Sequence, residues 1–182
     1  MSNLTVITPP AEEALSLGAA KEYLRIGHDG EDGLVAALIP AARARLEIVG
    51  GFALVTQTLK RGWDCWPPGV TRHGVRLLPG PASALVAVEI IGLEGGTETV
   101  TTRFVLEDGR LKLKPFVPLP GIPLGGRVEV TFVAGYGAAA DVPADLVQAL
   151  KRLVLVAYQR GEGADLPEDV AAILNTRTEV RL

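Results

Sequence analysis

Cysteine occurs once in this chain of 182 residues, at Cys65, and histidine only at His28 and His73. A lone cysteine excludes an internal disulfide framework and any zinc site built on thiolates. Neither histidine has a second within metal-ligand spacing, and both fall in turns rich in Gly, Asp or Pro. Aromatic residues make up 5% of the chain, which leaves no interleaved stacking platform for single-stranded nucleic acid. Charge of one sign is equally scarce. Eighteen basic residues meet 21 acidic ones for a net charge of -3, and no block of five like charges occurs. Such a balance argues against a nucleic-acid-coating protein, a basic arm or an acidic tail. No apolar run reaches the ~18 residues of a membrane span, and no basic-then-apolar leader opens the chain. The expectation is a soluble, cytoplasmically made globular protein with no membrane partner.

Catalytic signatures are missing as well. There is no G-x-x-x-x-G-K-[ST] loop, no G-x-G-x-x-G between a strand and a helix, and no G-x-S-x-G elbow. Gly135-Tyr136-Gly137 lacks a third glycine and reads as a strand-ending turn. Asp29, Glu31 and Asp32 lack the alternating oxygen ligands and closing Glu of a calcium loop, and read as acids at a helix start. Cys65 has only His73 nearby in sequence as a base, too little for an activated nucleophile. No catalytic residue, cofactor or metal site is expected, and the protein is not expected to be an enzyme.

What is present is apolar pattern. Hydrophobic residues are 48% of the chain, and a compact chain of this length buries roughly 70% of its unfolded surface. The first eight residues read as a short extended arm closed by Pro9 and Pro10. Ser16 caps a helix to about Arg25, with Leu17, Ala20 and Leu24 on one face. A second helix begins near Glu31 or Asp32 and carries Leu34, Leu38, Ala42 and Leu46 inward, with Val35, Ile39 and Val49 beside them. Pro40 is expected to kink or break it near Ile39, and Gly50-Gly51 to end it.

From Leu54 the period changes. Strands are read at Val55 to Arg61, Val75 to Leu78, Leu85 to Ile91 and around Val128 to Phe132. Phe104 and Leu106 alternate with polar residues, Asp108-Gly109 turns the chain, and Leu111 and Leu113 alternate with Lys112 and Lys114, a hairpin pattern. Four prolines between Pro115 and Gly126 make that segment a loop. A helix follows from Pro143 to about Arg160, with Leu146, Leu150, Leu153 and Ala157 in one stripe and apolar residues nearly all round. A short helix covers Glu168 to Leu174, and Thr176 to Leu182 revert to alternation.

The fold class is therefore α+β. N-terminal helices (1–53) and C-terminal helices with a tail (141–182) form a small bundle, with a β-rich insertion (54–140) between them. Arg103, Arg110, Lys112 and Lys114 gather on one hairpin face, a candidate surface toward DNA phosphates or a partner. Val147, Val154, Leu155 and Tyr158 widen the apolar stripe of the long helix and are candidates for contact between copies. Arg177, Thr178, Glu179, Val180, Arg181 and Leu182 alternate as a strand that adds to a partner's sheet edge. A rival reading is a non-catalytic ligand- or glycan-binding β module on a helical scaffold, with Trp63 and Trp66 as its aromatic platform.

Taken together, these segments resemble the head–tail connector, or adaptor, proteins of long-tailed phages and gene transfer agents. The resemblance lies in Leu15-Ser16-Leu17 leading to Ala20-Lys21-Glu22-Tyr23-Leu24-Arg25-Ile26, and in the acidic turn His28 to Asp32. It continues in Ala53-Leu54-Val55-Thr56-Gln57-Thr58-Leu59 followed by Trp63, its most specific part. Gly135-Tyr136-Gly137, Val142-Pro143 with Asp145-Leu146, Leu166-Pro167 with Val170-Ala171, and the closing Val180-Arg181-Leu182 complete it. The resemblance implies a structural protein whose copies, about twelve as such rings close head-to-tail, sit beneath a portal. They extend a channel through which double-stranded DNA passes without sequence-specific binding. It also implies docking of a tail-side neck (stopper or head-closure) protein, a C-terminal tail that clasps the portal, assembly in the bacterial cytoplasm and a final place in the particle neck.

Overall fold

The structure, a computed structural model, describes residues 3–160 and 165–179. The chain divides into two compact units, Met1–Pro10 with Thr56–Gly135 and Ala11–Val55 with Tyr136–Leu182.

Among the described residues the helical unit holds four helices. In α1 (Leu17–Leu24), Ser16 is extended and its Oγ accepts from the Ala19 N–H at 3.2 Å, satisfying a donor that the first turn leaves without a partner. Arg25 closes it in the left-handed region at φ 60°, where the Ile26 N–H reaches the Lys21 carbonyl at 2.9 Å. The second helix, α2 (Asp32–Gly50), ends at Gly51 with φ 63°. It runs unbroken through Pro40, so of the kink or break expected near Ile39 the break does not occur. Leu38, Ile39 and Ala42 on either side of the proline are all buried, and this burial holds the helix together where the ladder loses a donor. The buried stripe is Val35, Leu38, Ile39, Ala42 and Leu46; Leu34 and Val49, expected inside, are about half exposed.

Against this stripe pack Leu146, Ala149, Leu150, Leu153 and Val154 of α3 (Ala144–Arg160) and Val170 and Leu174 of α4 (Glu168–Glu179). The last helix therefore passes Leu174 and includes Arg177 to Glu179, which the alternating pattern assigned to an extended tail. Val180, Arg181 and Leu182 lie outside the described residues.

Among the described residues the strand-rich unit contains two antiparallel sheets. One has the order β1-β2-β8-β4-β5, from β1 (Asn3–Thr8), β2 (Gln57–Trp63), β4 (Ala82–Ile91), β5 (Thr97–Thr99) and β8 (Arg127–Ala134). The other has the order β3-β7-β6, from β3 (Val75–Arg76), β6 (Phe104–Glu107) and β7 (Arg110–Leu113). The extended arm at the start of the chain is thus an edge strand, with Val6 opposite Leu59. Leu59 stands opposite Phe132 and Arg61 opposite Val130, so the β2–β8 register puts one buried face in common. The other face carries an ion cluster in which Lys60 Nζ donates to Glu129 at 3.0 Å and lies 3.7 Å from Glu89. Asp108 (φ 50°) and Gly109 (φ 69°) turn the β6–β7 hairpin with both central residues left-handed, as a two-residue hairpin turn requires.

Candidate assembly surfaces

Asp145 stands in the first turn of α3 and Arg177 in the last turn of α4, each complementing its helix dipole. Packing of the two helices brings them into a forked ion pair. Arg177 Nε donates to Asp145 Oδ2 at 2.7 Å and Nη2 to Oδ1 at 2.6 Å. The guanidinium also lies 5.9 Å from the Tyr136 ring centroid, with Nη1 3.4 Å from its hydroxyl. Tyr136 in turn meets Phe52 edge-on at 6.5 Å. The Arg177 hydrogen bond, ahead of opposing burial, holds the Asp145 carboxyl below the ordinary carboxylate range. Arg177, read from sequence as part of a loose tail, is instead fastened inside the helical unit.

A second pair, Arg152 Nε to Asp169 Oδ2 at 3.0 Å, joins the same two helices. Of the residues expected to contact another copy, Val154 is 1% exposed within the unit's own core, and this corrects its assignment to a surface. A helix that is apolar nearly all round is here filled by its own bundle. Val147, Leu155 and Tyr158 are half-buried. The Tyr158 hydroxyl donates to Glu31 Oε2 at 2.7 Å, and that bond raises its pKa. The side chains of Thr178 and Glu179 lie outside the description.

In the strand-rich unit the hairpin register sets Arg110 opposite Glu107 and Lys112 opposite Val105. The Lys114 N–H donates to the Arg103 carbonyl at 2.9 Å, which extends the ladder by one pair. Alternation therefore puts Arg110, Lys112 and Lys114 on one hairpin face, while Arg103 ends a 3-10 turn (Thr101–Arg103) just before β6, its guanidinium 4.0 Å from Glu98. Glu107 shares that face and accepts from Lys112 at 2.8 Å, so its positive charge is partly offset. An open groove of about 600 Å³ beside it is lined by Thr71, Arg72, Lys112, Lys114 and Phe116 among others.

The Trp63 and Trp66 platform of the rival reading is not free. Trp66 stacks on Phe104 at 5.0 Å and donates its indole N–H to the Pro120 carbonyl at 2.7 Å, while Arg61 lies over Trp63. The His73 ring lies over Gly69, whose φ of +92° and closeness leave no room for a side chain there. Cys65 is an exposed free thiol. Among the described residues no three His, Cys, Asp or Glu side chains are grouped to hold a metal ion. Among the described residues, too, no helix is long and apolar enough to cross a membrane.

One surface went unread in the sequence. Phe116, at φ 62°, is fully exposed, and Leu124 is 99% exposed, both in the proline-rich loop between Pro115 and Gly126. That loop holds no charged residue. An uncharged run with an aromatic beside a proline was the available signal, and it was read only as a break between strands.

No family model matches the chain, and no curated protein does. Solved structures do. A chain in the virion of a native gene transfer agent particle superposes with a TM-score of 0.78 at 26% identity, covering 95% of this chain and 93% of that one. A chain in the neck of an empty gene transfer agent particle, computed with C6 symmetry, gives 0.78 at 27%, covering 96% and 94%. A chain in the neck of a native particle, computed with C12 symmetry, gives 0.77 at 25%, covering 96% and 93%. Over nearly its whole length, with both units included, this chain has the architecture of proteins found in gene transfer agent necks.

Proposed function

We propose that this protein is a non-catalytic structural component of the neck of a phage-like particle, and specifically a head–tail adaptor. Its copies form a ring under the portal, extend the DNA channel and dock the next neck protein. The observation that carries the reading is the near-complete match, at 25–27% identity, to neck chains solved under C6 and C12 symmetry. A closed ring of identical chains needs only complementary head-to-tail surfaces and no chemistry.

The residues take roles within that reading. Val180, Arg181 and Leu182 clasp the portal, and Arg177, locked to Asp145, anchors the end of α4 that precedes them. Thr178 and Glu179 belong to the last turn from which that tail departs. The basic hairpin face of Arg110, Lys112 and Lys114, with Arg103 beside it, meets DNA phosphates or a partner's acids without reading sequence. Val147, Leu155 and Tyr158, half-buried within one chain, contribute what surface they retain to a neighbouring copy. Phe116 and Leu124, held out on a loop stiffened by proline, present a preorganised apolar anchor to the next neck protein. The particle would assemble in the bacterial cytoplasm.

The test is co-assembly. The full chain mixed with the portal ring of its particle should give neck complexes visible by electron microscopy. Deleting Thr178 to Leu182 should abolish docking. Absence of any complex with the full chain would sink the adaptor reading, and unchanged docking after the deletion would sink the tail's role.

A further inference from the structure

An exposed strand edge offers a row of unpaired main-chain donors and acceptors, and proteins blunt such edges with charge, proline or shortness. Among the described residues, three of the four sheet edges are blunted. β5 has three residues including Glu98, β3 has two, and β6 carries Glu107. β1 differs. Asn3-Leu4-Thr5-Val6-Ile7-Thr8 is six residues long, exposed throughout and without charge or proline, and only the register shift between Val6 and Thr8 interrupts it. No charged residue stands between Asn3 and Ala11 either.

The side chains point the same way. Val6 stands opposite Leu59, which is 1% exposed, and Leu4 stands opposite Arg61, so both continue the sheet's buried face. Yet Leu4 is 46% and Val6 52% exposed. The apolar face thus runs off the edge of the sheet with its last strand uncovered.

We infer that a strand from a second copy of this chain adds along β1, pairing main chain to main chain and covering Leu4 and Val6. This rests on the ring reading above. The second copy is the occupant because similar neck chains repeat under C12 symmetry, and such a ring joins each copy to the next through two different surfaces. A long, uncharged, half-apolar edge is suited to one side of that contact. Main-chain bonds supply its register and alternate side chains its selectivity.

Two measurements on the full chain with its portal ring test this. The double variant Leu4→Lys with Val6→Lys places two charges on the covered face and should lower the ring fraction at least tenfold, seen by native mass spectrometry. Single copies should still dock through the C-terminal tail, and Thr5→Gln on the opposite face should form rings normally. Rings of the double variant equal to wild type would overturn the inference and leave the adaptor reading standing. The second measurement needs no variant and decides the matter if the double variant fails to fold. Amide exchange of residues 3–8 in the wild type should slow at least tenfold when rings form. Unchanged exchange in a formed ring, or slowing already complete in singly docked copies, overturns the second copy as occupant. A wild type that docks on the portal but never closes a ring overturns the ring reading, and this inference with it.

Discussion

Among the described residues, three large apolar side chains are exposed on the helical unit, namely Leu34, Ile48 and Val49, while the strand-rich unit exposes eight. The eight include Leu4, Val6 and Ile7 on the edge strand and Phe116, Leu119 and Leu124 on the proline-rich loop. The two units are of similar length, so size does not explain the difference. In the helical unit one cluster drawn from all four helices absorbs nearly every long apolar residue, and charged pairs such as Arg177 with Asp145 lock its surface. In the strand-rich unit the core is filled and apolar groups remain outside. In the neck reading proposed above, the helical unit holds its own shape and the strand-rich unit is the one that other chains would cover.

Four experiments bear on that contrast. The largest effect should come from Leu150→Ala, fully buried in α3. Loss of its side chain should cost about 2–5 kcal/mol in denaturant unfolding, and a cost below about 1 kcal/mol would show the helical core to be looser than its burial implies. Next, Pro40→Ala restores a donor inside α2 and should raise stability by up to about 3 kcal/mol; a loss would mean that the proline ring itself packs usefully.

Third comes acidification. Because the folded state holds the Asp145 carboxyl below its unfolded value, the Arg177 pair contributes stability above the ordinary carboxylate range. That contribution fades as pH falls through the depressed folded value. Asp145→Asn should remove it, at about 0.2–1 kcal/mol for a partly exposed pair, and speed amide exchange at the end of α4. Equal acid sensitivity in the variant would assign the effect to other carboxylates. The smallest change in stability, within about 0.5 kcal/mol, should follow Phe116→Ala, measured by thermal unfolding. The same variant should nevertheless weaken neck co-assembly. If it unfolds the protein, or assembles normally, the contrast between the units fails at its clearest point.

How much of this was legible depended on the range of the interactions. Periods of local sequence revealed α1, α3, the hairpin at Asp108-Gly109 and the core strands, because cap, turn and alternation are encoded within a few residues. Strand β5 was missed, since Thr97–Thr99 is too short to show a period. The pairing of β1 was missed because its partner β2 lies about fifty residues away and an edge strand with both faces exposed has no burial pattern of its own. Arg177 was placed in a tail for a related reason: Asp145, which fastens it, is 32 positions away. At Pro40 only half of the local rule, to kink or to break, is decided: burial on both sides keeps the helix from breaking. The apolar breadth of α3 was legible, but whether Val154 served a private core or a neighbour depended on packing that only the fold displays.

The placing of β2 beside β8 has a consequence for how the chain reaches this state. The helical unit is assembled from two stretches of chain separated by residues 56–135. Bringing its halves together directly would mean closing a long loop. Gln57 is paired with Ala134, however, and just beyond them the Tyr136 N–H donates to the Leu54 carbonyl at 3.0 Å. If the sheet zips first, α2 and α3 are delivered to each other by a connection of only about ten residues. Some three halvings of the effective loop are saved, on the order of 2 kcal/mol of closure entropy. The inserted strands would then act as the hinge pin on which the bundle nucleates, and an error in that one antiparallel pair would delay folding of helices that belong to the other unit.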